Sequence, residues 1–158
     1  MSKVCAFFGH REIPAGLEKP LEEQIRKAII EDSITSFWVG GYGQFDSLAS
    51  HAVHKLKQEF PEIELLLILA YLPTEGQKIP SIYDGSIYPE GLELIPKRFA
   101  LSKRNAWMAK NCDMAICYVK NSFGGANESV RYAQGLGVPI INLADQTFLP
   151  RNKNLPIR

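Results

Sequence analysis

Apolar residues along the chain fall into short unbroken runs that alternate with longer amphipathic stretches. Residues 4–8 (VCAFF) form the first run, closed by Gly9, and predict a strand buried on both faces. Over residues 17–31 the apolar positions Leu17, Leu21, Ile25, Ala28 and Ile29 recur at helical spacing. Residues 36–39 make a second short strand that stops at Gly40-Gly41. Helical spacing returns over 45–60 and is closed by Pro61, and residues 63–70 give the strongest strand signal in the chain. A helix is predicted over 99–111, a strand over 114–119, a helix over 128–134 and a strand over 138–143. In the helix over 99–111, Phe99, Leu101, Trp107 and Met108 read as core positions, and Arg104 by its type reads as a solvated side chain.

Strand and helix alternate, and the strands are nearly continuous in apolar character. That pattern predicts an α/β domain with a mostly parallel central sheet of about five strands and right-handed crossovers. Residues 1–150 are assigned to this single domain and residues 151–158 to a polar tail. The stretch 71–96 carries four prolines and three glycines and reads as a long irregular segment. Its Tyr71, Tyr83 and Tyr88 serve either to stack on a base or to pin the segment to the body. No repeat or low-complexity tract is present.

The chain has 158 residues, enough to bury roughly two-thirds of its unfolded surface in one core. Hydrophobic residues at 46% and charged residues at 22% argue against disorder. With 18 Lys+Arg against 17 Asp+Glu the net charge is only +1, which excludes a polyanion binder held by bulk charge. Cys5, Cys112 and Cys117 are too few for a disulfide framework and stand near no histidine that would complete a zinc site. They read as small buried hydrophobes, and no metal is expected. The N-terminal apolar run is too short for a signal segment and residues 65–72 too short for a membrane span, so the expectation is a cytoplasmic protein without membrane contact.

In parallel sheets of this kind, ligands bind beyond the carboxyl ends of the strands, where the winding reverses. Three such ends carry suggestive residues. The first strand leads into Gly9-His10-Arg11, and the second into Gly40-Gly41-Tyr42-Gly43-Gln44-Phe45-Asp46. The strand over 114–119 leads into Asn121-Ser122-Phe123-Gly124-Gly125-Ala126-Asn127-Glu128. Two glycine-rich strand-to-helix turns allow close backbone approach, and a helix start offers free N–H groups to an anion. The first turn lacks the third glycine of the dinucleotide fingerprint and the Lys-Ser/Thr of a P-loop. Asp46 and Glu128 each serve either to cap a helix or to hold a ribose hydroxyl. His10 is either a ligand contact or a satisfied structural histidine.

Phe8-Gly9-His10-Arg11, the turn from Gly40 to Asp46, Arg104-Asn105-x-x-Met108 and Gly124-Gly125-Ala126 occur in the order found in the SLOG superfamily. The chain resembles that group of Rossmann-like domains over residues 4–143, nearly its whole length. The group includes YpsA-like proteins, the DprA Rossmann domain and the LOG phosphoribohydrolases. The small single-domain YpsA-like members of Firmicutes and their phages are the most similar. The resemblance implies a Rossmann-like three-layer fold, a nucleotide or nucleotide-derived ligand at the glycine-rich turns, and a homodimer. It implies no cofactor. In LOG enzymes an arginine of an Arg-x-x-x-Met element and a glutamate after a Gly-Gly turn act on the N-glycosidic bond of a nucleoside monophosphate. Arg104 and Glu128 fall at similar places. The LOG signature runs Pro-Gly-Gly-x-Gly-Thr-x-x-Glu; here Phe123 replaces the proline, and Glu128 arrives three residues early.

The leading expectation is a domain that senses or sequesters a nucleotide-like small molecule. Its phosphate is expected on the N–H groups of Gly41 to Gln44 and Gly124 to Ala126, steadied by Arg11 or Arg104. An alternative is a nucleoside 5′-monophosphate N-glycosidase, with Glu128 stabilising the oxocarbenium-like state and Arg104 holding the phosphate or leaving base. A further alternative is an interaction module or a handler of single-stranded DNA. The low net charge weighs against nucleic acid.

Overall fold

The computed structural model describes residues 2–146, so the polar tail assigned to 151–158 lies outside the described residues. In chain order the elements are β1 (Val4–Gly9), α1 (Glu18–Glu31), β2 (Ser36–Val39), α2 (Gln44–Leu56), β3 (Glu64–Ile68) and β4 (Gly85–Ile87). Two short 3-10 turns, Leu92–Leu94 and Lys97–Phe99, lead into α3 (Ala100–Asn111). Then come β5 (Met114–Tyr118), α4 (Gly125–Gly135), β6 (Ile140–Asn142) and α5 (Leu143–Gln146). The six strands lie in the order β4-β3-β2-β1-β5-β6, and every neighbouring pair is parallel.

The pleat of the central strands divides the core in two. Cys5 and Phe7 of β1 and Phe37 and Val39 of β2 point to α1 and α2, meeting Leu21, Ile25, Phe45, Ala49 and Val53. Ala6 and Phe8 of β1 and Trp38 of β2 point the other way, to Met108 and Ala109 of α3 and Val130 and Ala133 of α4. Trp38 stacks on Trp107 with ring centroids 4.9 Å apart. Successive residues therefore serve opposite layers, which is why β1 reads as an unbroken apolar run. From β1 the chain winds outward through β2 and β3 to β4. It then crosses back over the sheet to β5, on the other side of β1. The winding thus reverses beside β1, and the strand-end loops flanking that point are the predicted ones.

Three expectations need correction. The stretch 71–96, expected to be irregular, holds strand β4, an edge strand of the expected parallel sheet, which has six strands. Gly85–Ile87 carries no alternation to betray it; the strand is fixed instead by Asp84, whose Oδ2 accepts the Leu65 N–H at 2.8 Å and whose own N–H donates to the Leu65 carbonyl at 2.8 Å. Helix α4 begins at Gly125, a turn earlier than predicted, with Gly124 at its N-cap in positive φ (97°). In α3 the expected core set is partly wrong. Phe99 lies in the preceding 3-10 turn and is exposed, Leu101 is half-buried, and Arg104 is buried (3% exposed) on the stripe it shares with Ala100 and Met108. The three cysteines are free and buried as expected. No helix among the described residues is long and apolar enough to cross a membrane.

Candidate functional site

A cleft of about 550 Å³ opens where the carboxyl ends of β1 and β2 meet the N-terminal halves of α3 and α4. From the predicted residues it gathers Gly9, His10 and Arg11 after β1, and Gly40, Tyr42 and Asp46 after β2. It also gathers Arg104 and Asn105 from α3, and Gly125, Ala126 and Glu128 from α4. Gly41, Gly43 and Gly124 do not line it. Gly41 (φ 82°) and Gly43 (φ 93°) shape the turn into α2 instead, and Gly43 leaves room for the Arg11 backbone, which a Cβ there would meet at 2.8 Å. Arg98, Ser102, Ser129 and Tyr132 also line the cleft and were not foreseen. Ser129 and Tyr132 follow Gly125 by four and seven residues, a same-face helical spacing that marks them only once the helix is anchored at Gly125.

Arg104 lies at the base of the cleft. Its Nη1 donates to the carbonyls of Gly40 (3.0 Å) and Ile68 (2.7 Å), the ends of β2 and β3. Its Nε donates to Asn105 Oδ1 at 2.8 Å, and its guanidinium lies 5.5 Å from the centre of the Tyr42 ring. Gly40 is required here, since a Cβ would sit 2.7 Å from the guanidinium carbon. No acceptor meets Arg104 Nη2 among the described residues. The only sealed, unpartnered side-chain polar atoms there are Ser36 Oγ and Trp38 Nε1, so Nη2 is open to the cleft. Burial lowers the pKa of the guanidinium and the nearby Asp46 opposes that; an arginine keeps its charge regardless.

Asp46 is the third residue of α2 and is itself buried. Its Oδ2 accepts the Tyr42 N–H at 3.1 Å, and the Gly40 and Gly41 N–H groups also favour its charged form. The Gln44 N–H donates to the Arg11 carbonyl at 2.8 Å. The N–H groups of Gly40 to Tyr42, in the turn expected to cradle a phosphate, are thus turned toward the protein's own carboxylate. At α4 the first-turn N–H groups of Gly125 and Ala126 have no intrahelical acceptor, as at any helix start, and these residues border the cleft.

Burial pushes Asp46 up to about 6, with the Tyr42 N–H and the Arg104 charge pulling it back. A carboxyl whose folded pKa is raised gives stability that is present below its unfolded value near 4 and lost as pH rises through about 6. At 1.36 kcal/mol per unit the buried charge costs about 3 kcal/mol at neutral pH. Relative to Asp46→Asn, the wild-type protein should therefore lose about that much stability between pH 4 and 7. Urea unfolding of both proteins across that range checks it. A constant gap would mean that the carboxyl is not lifted by burial.

His10 takes the structural alternative on one nitrogen. Its Nε2 accepts the N–H groups of Lys120 (2.9 Å) and Asn121 (3.2 Å), holding the loop after β5, and burial lowers its pKa below the usual 6.5. The ring is thus neutral with its proton on Nδ1 when it makes these bonds. Glu128 lies on the cleft side of α4. Of the tyrosines in the stretch 71–96, Tyr71 donates to the Lys97 carbonyl (3.0 Å) and Tyr83 pairs with Ser50 Oγ (3.3 Å). No residue of that stretch lines the cleft. Among the described residues no cluster of His, Cys, Asp or Glu is arranged to hold a metal.

The fold and cleft define a doubly wound α/β protein with its pocket at the topological switch point. No family model matches the sequence, and no curated protein matches it. Solved structures do share the fold. DNA processing protein A from Helicobacter pylori, described for its single-stranded DNA binding mode, matches with a TM-score of 0.60 at 16% identity, over 87% of this chain and 63% of that one. A molybdenum cofactor binding protein from Rippkaea orientalis matches at 0.59 and 17%, over 98% and 86%. The molybdenum cofactor carrier protein of Chlamydomonas reinhardtii matches at 0.58 and 14%, over 98% and 88%.

Proposed function

We propose that the chain is a SLOG-type domain that binds a nucleotide or nucleotide derivative in this cleft. The observation that carries the reading is the convergence of an open guanidinium nitrogen, Arg104 Nη2, with the helix start at Gly125-Ala126 in one pocket. A helix start alone is a weak anion site; a buried cation beside it, its other nitrogens already fixed on backbone and Asn105, makes a preorganised one. The phosphate is assigned to α4 and Arg104, not to the glycine turn after β2. Arg11 and Arg98 flank the opening, and Tyr132 and Tyr42 offer ring faces to a base.

The structural neighbours are described with a small cofactor in two cases and with single-stranded DNA in the third. The expectation against nucleic acid therefore gains nothing from them. Our preference for a small ligand rests on the net charge of only +1 and on Glu128, an exposed carboxylate lining the cleft that would repel a continuous phosphate backbone. Glu128 lining the same pocket as Arg104 also sustains the N-glycosidase alternative.

Incubation with pooled nucleoside monophosphates, NAD and cyclic nucleotides, followed by mass spectrometry of the solution and of the denatured protein, decides between them. Intact nucleotide retained on the protein is the expected result. Free base with ribose phosphate, absent in Glu128→Gln, would make the protein a hydrolase instead. Neither would overturn both readings.

A further inference from the structure

A buried carboxylate is an uneasy neighbour for an anion site. Asp46 and Arg104 line the same cleft and feel each other's charge, yet they make no direct ion pair. The ion pairs among the described residues are Arg26–Glu59, Lys55–Glu22 and Lys57–Asp84. Each side chain of the couple spends its bonds on the backbone: Asp46 on the Tyr42 N–H, Arg104 on the carbonyls of Gly40 and Ile68. They meet only through space, and both side chains are buried, so their charges interact more strongly than at the surface.

An anion docking on Arg104 Nη2 brings a second negative charge to a place that already holds one. Two like charges sharing a poorly hydrated site resist joint ionisation, and one of them takes a proton. We propose that the cleft takes up its anion together with one proton, which Asp46 holds. This inference rests on the anion site proposed above. Its consequence for specificity is direct: at neutral pH and above, the ionised Asp46 cancels much of the Arg104 charge and discriminates against highly charged ligands.

The other charged or titratable groups around the couple are Tyr42 in the turn, Tyr71 within reach of the Arg104 field, His10 and Arg11 after β1, Arg98 before α3, and Glu128 and Tyr132 on α4. Glu128 is exposed, so water screens its charge. His10 titrates nearby, but its Nε2 is engaged by two backbone N–H groups, and a proton there would break both. Asp46 is the buried carboxylate of the set. Burial already raises it to about 6 without a ligand, so a further lift by the anion carries it through neutral pH.

Sulfate is a suitable probe, because its own charge is constant over the range that matters. Calorimetric titration of sulfate between pH 5.5 and 8, in two buffers of different ionisation heat, reads both affinity and protons exchanged. The expected result is affinity about tenfold or more higher at pH 6 than at pH 8, with uptake approaching one proton near pH 7. Asp46→Asn should flatten both readouts. Sulfate binding without proton uptake would overturn the inference and leave the anion site standing. Proton uptake that persists in Asp46→Asn would also overturn it. No sulfate binding at any pH would remove the anion site, and the inference with it. Absence of proton uptake by the unmodified protein overturns the inference even if the Asn variant folds poorly.

Discussion

Arg104→Ala should unfold roughly 10 °C below the wild-type protein and lose ligand binding by about 100-fold. The thermal figure follows from about 3–5 kcal/mol for removing a buried charge with fixed partners, at about 2–4 °C per kcal/mol for a chain of this size. Nη1 closes the carboxyl ends of two strands at once, so its loss strands the carbonyls of Gly40 and Ile68 beneath α3. It also leaves Asp46 buried without a nearby cation, which pushes that carboxyl further up. The binding figure corresponds to one charge-assisted hydrogen bond, that of Nη2, worth about 1.5–3 kcal/mol. Arg104→Lys restores one cation but not the fork that reaches two carbonyls and the cleft together, and should recover part of the stability. Thermal unfolding and titration with the retained nucleotide measure the two effects separately. An alanine variant that melts within 2 °C of wild type would mean that the two strand-end bonds contribute little.

The same arginine shows where pattern reading fails and where it had the means to succeed. By residue type Arg104 reads as solvated, yet it stands four residues after Ala100 and four before Met108, on the one buried stripe of α3. A cation on an apolar stripe is a signal, and here it marks the site. The strand ends were legible because β1, β2 and β5 are buried on both sides and so carry unbroken apolar runs. Strand β4 was not legible, because Gly85–Ile87 is held by Asp84 and an ion pair from Lys57, contacts that span the sheet and leave no periodic trace. The glycine-rich turn after β2 is legible from composition alone. Its glycines make space for protein atoms: Gly40 for the Arg104 guanidinium, and Gly43 for the Arg11 backbone. Composition cannot distinguish a glycine that admits a ligand from one that admits a neighbouring side chain. Only the packed structure separates the two.

Gly9 carries that distinction to its strongest test. It borders the cleft, its backbone conformation suits any residue, and by sequence it is a ligand-approach glycine. A Cβ on it, however, would lie 2.2 Å from Phe45 Cγ and 2.3 Å from Cδ2. Phe45 is fully buried, and its ring packs edge-on to Phe7 with centroids 6.3 Å apart, so it has no void to retreat into. Phe45 is also the second residue of α2, adjacent to Asp46, so pushing its ring outward displaces the helix start that fixes the carboxylate against Tyr42. Gly9→Ala should therefore cost about 3 kcal/mol, the upper end of overpacking penalties, and lower the unfolding midpoint by roughly 6–12 °C. A suitable control is Gly16→Ala: Gly16 has positive φ (91°) but nothing within 4 Å of its added Cβ, so the change should cost only about 1 kcal/mol of backbone strain. Pairing Gly9→Ala with Phe45→Leu distinguishes the clash from any ligand role. If the overlap is the cause, the smaller side chain accommodates the methyl group and the double variant is more stable than the sum of the single changes allows. If Gly9 matters only to a ligand, the single variant keeps wild-type stability and loses binding alone.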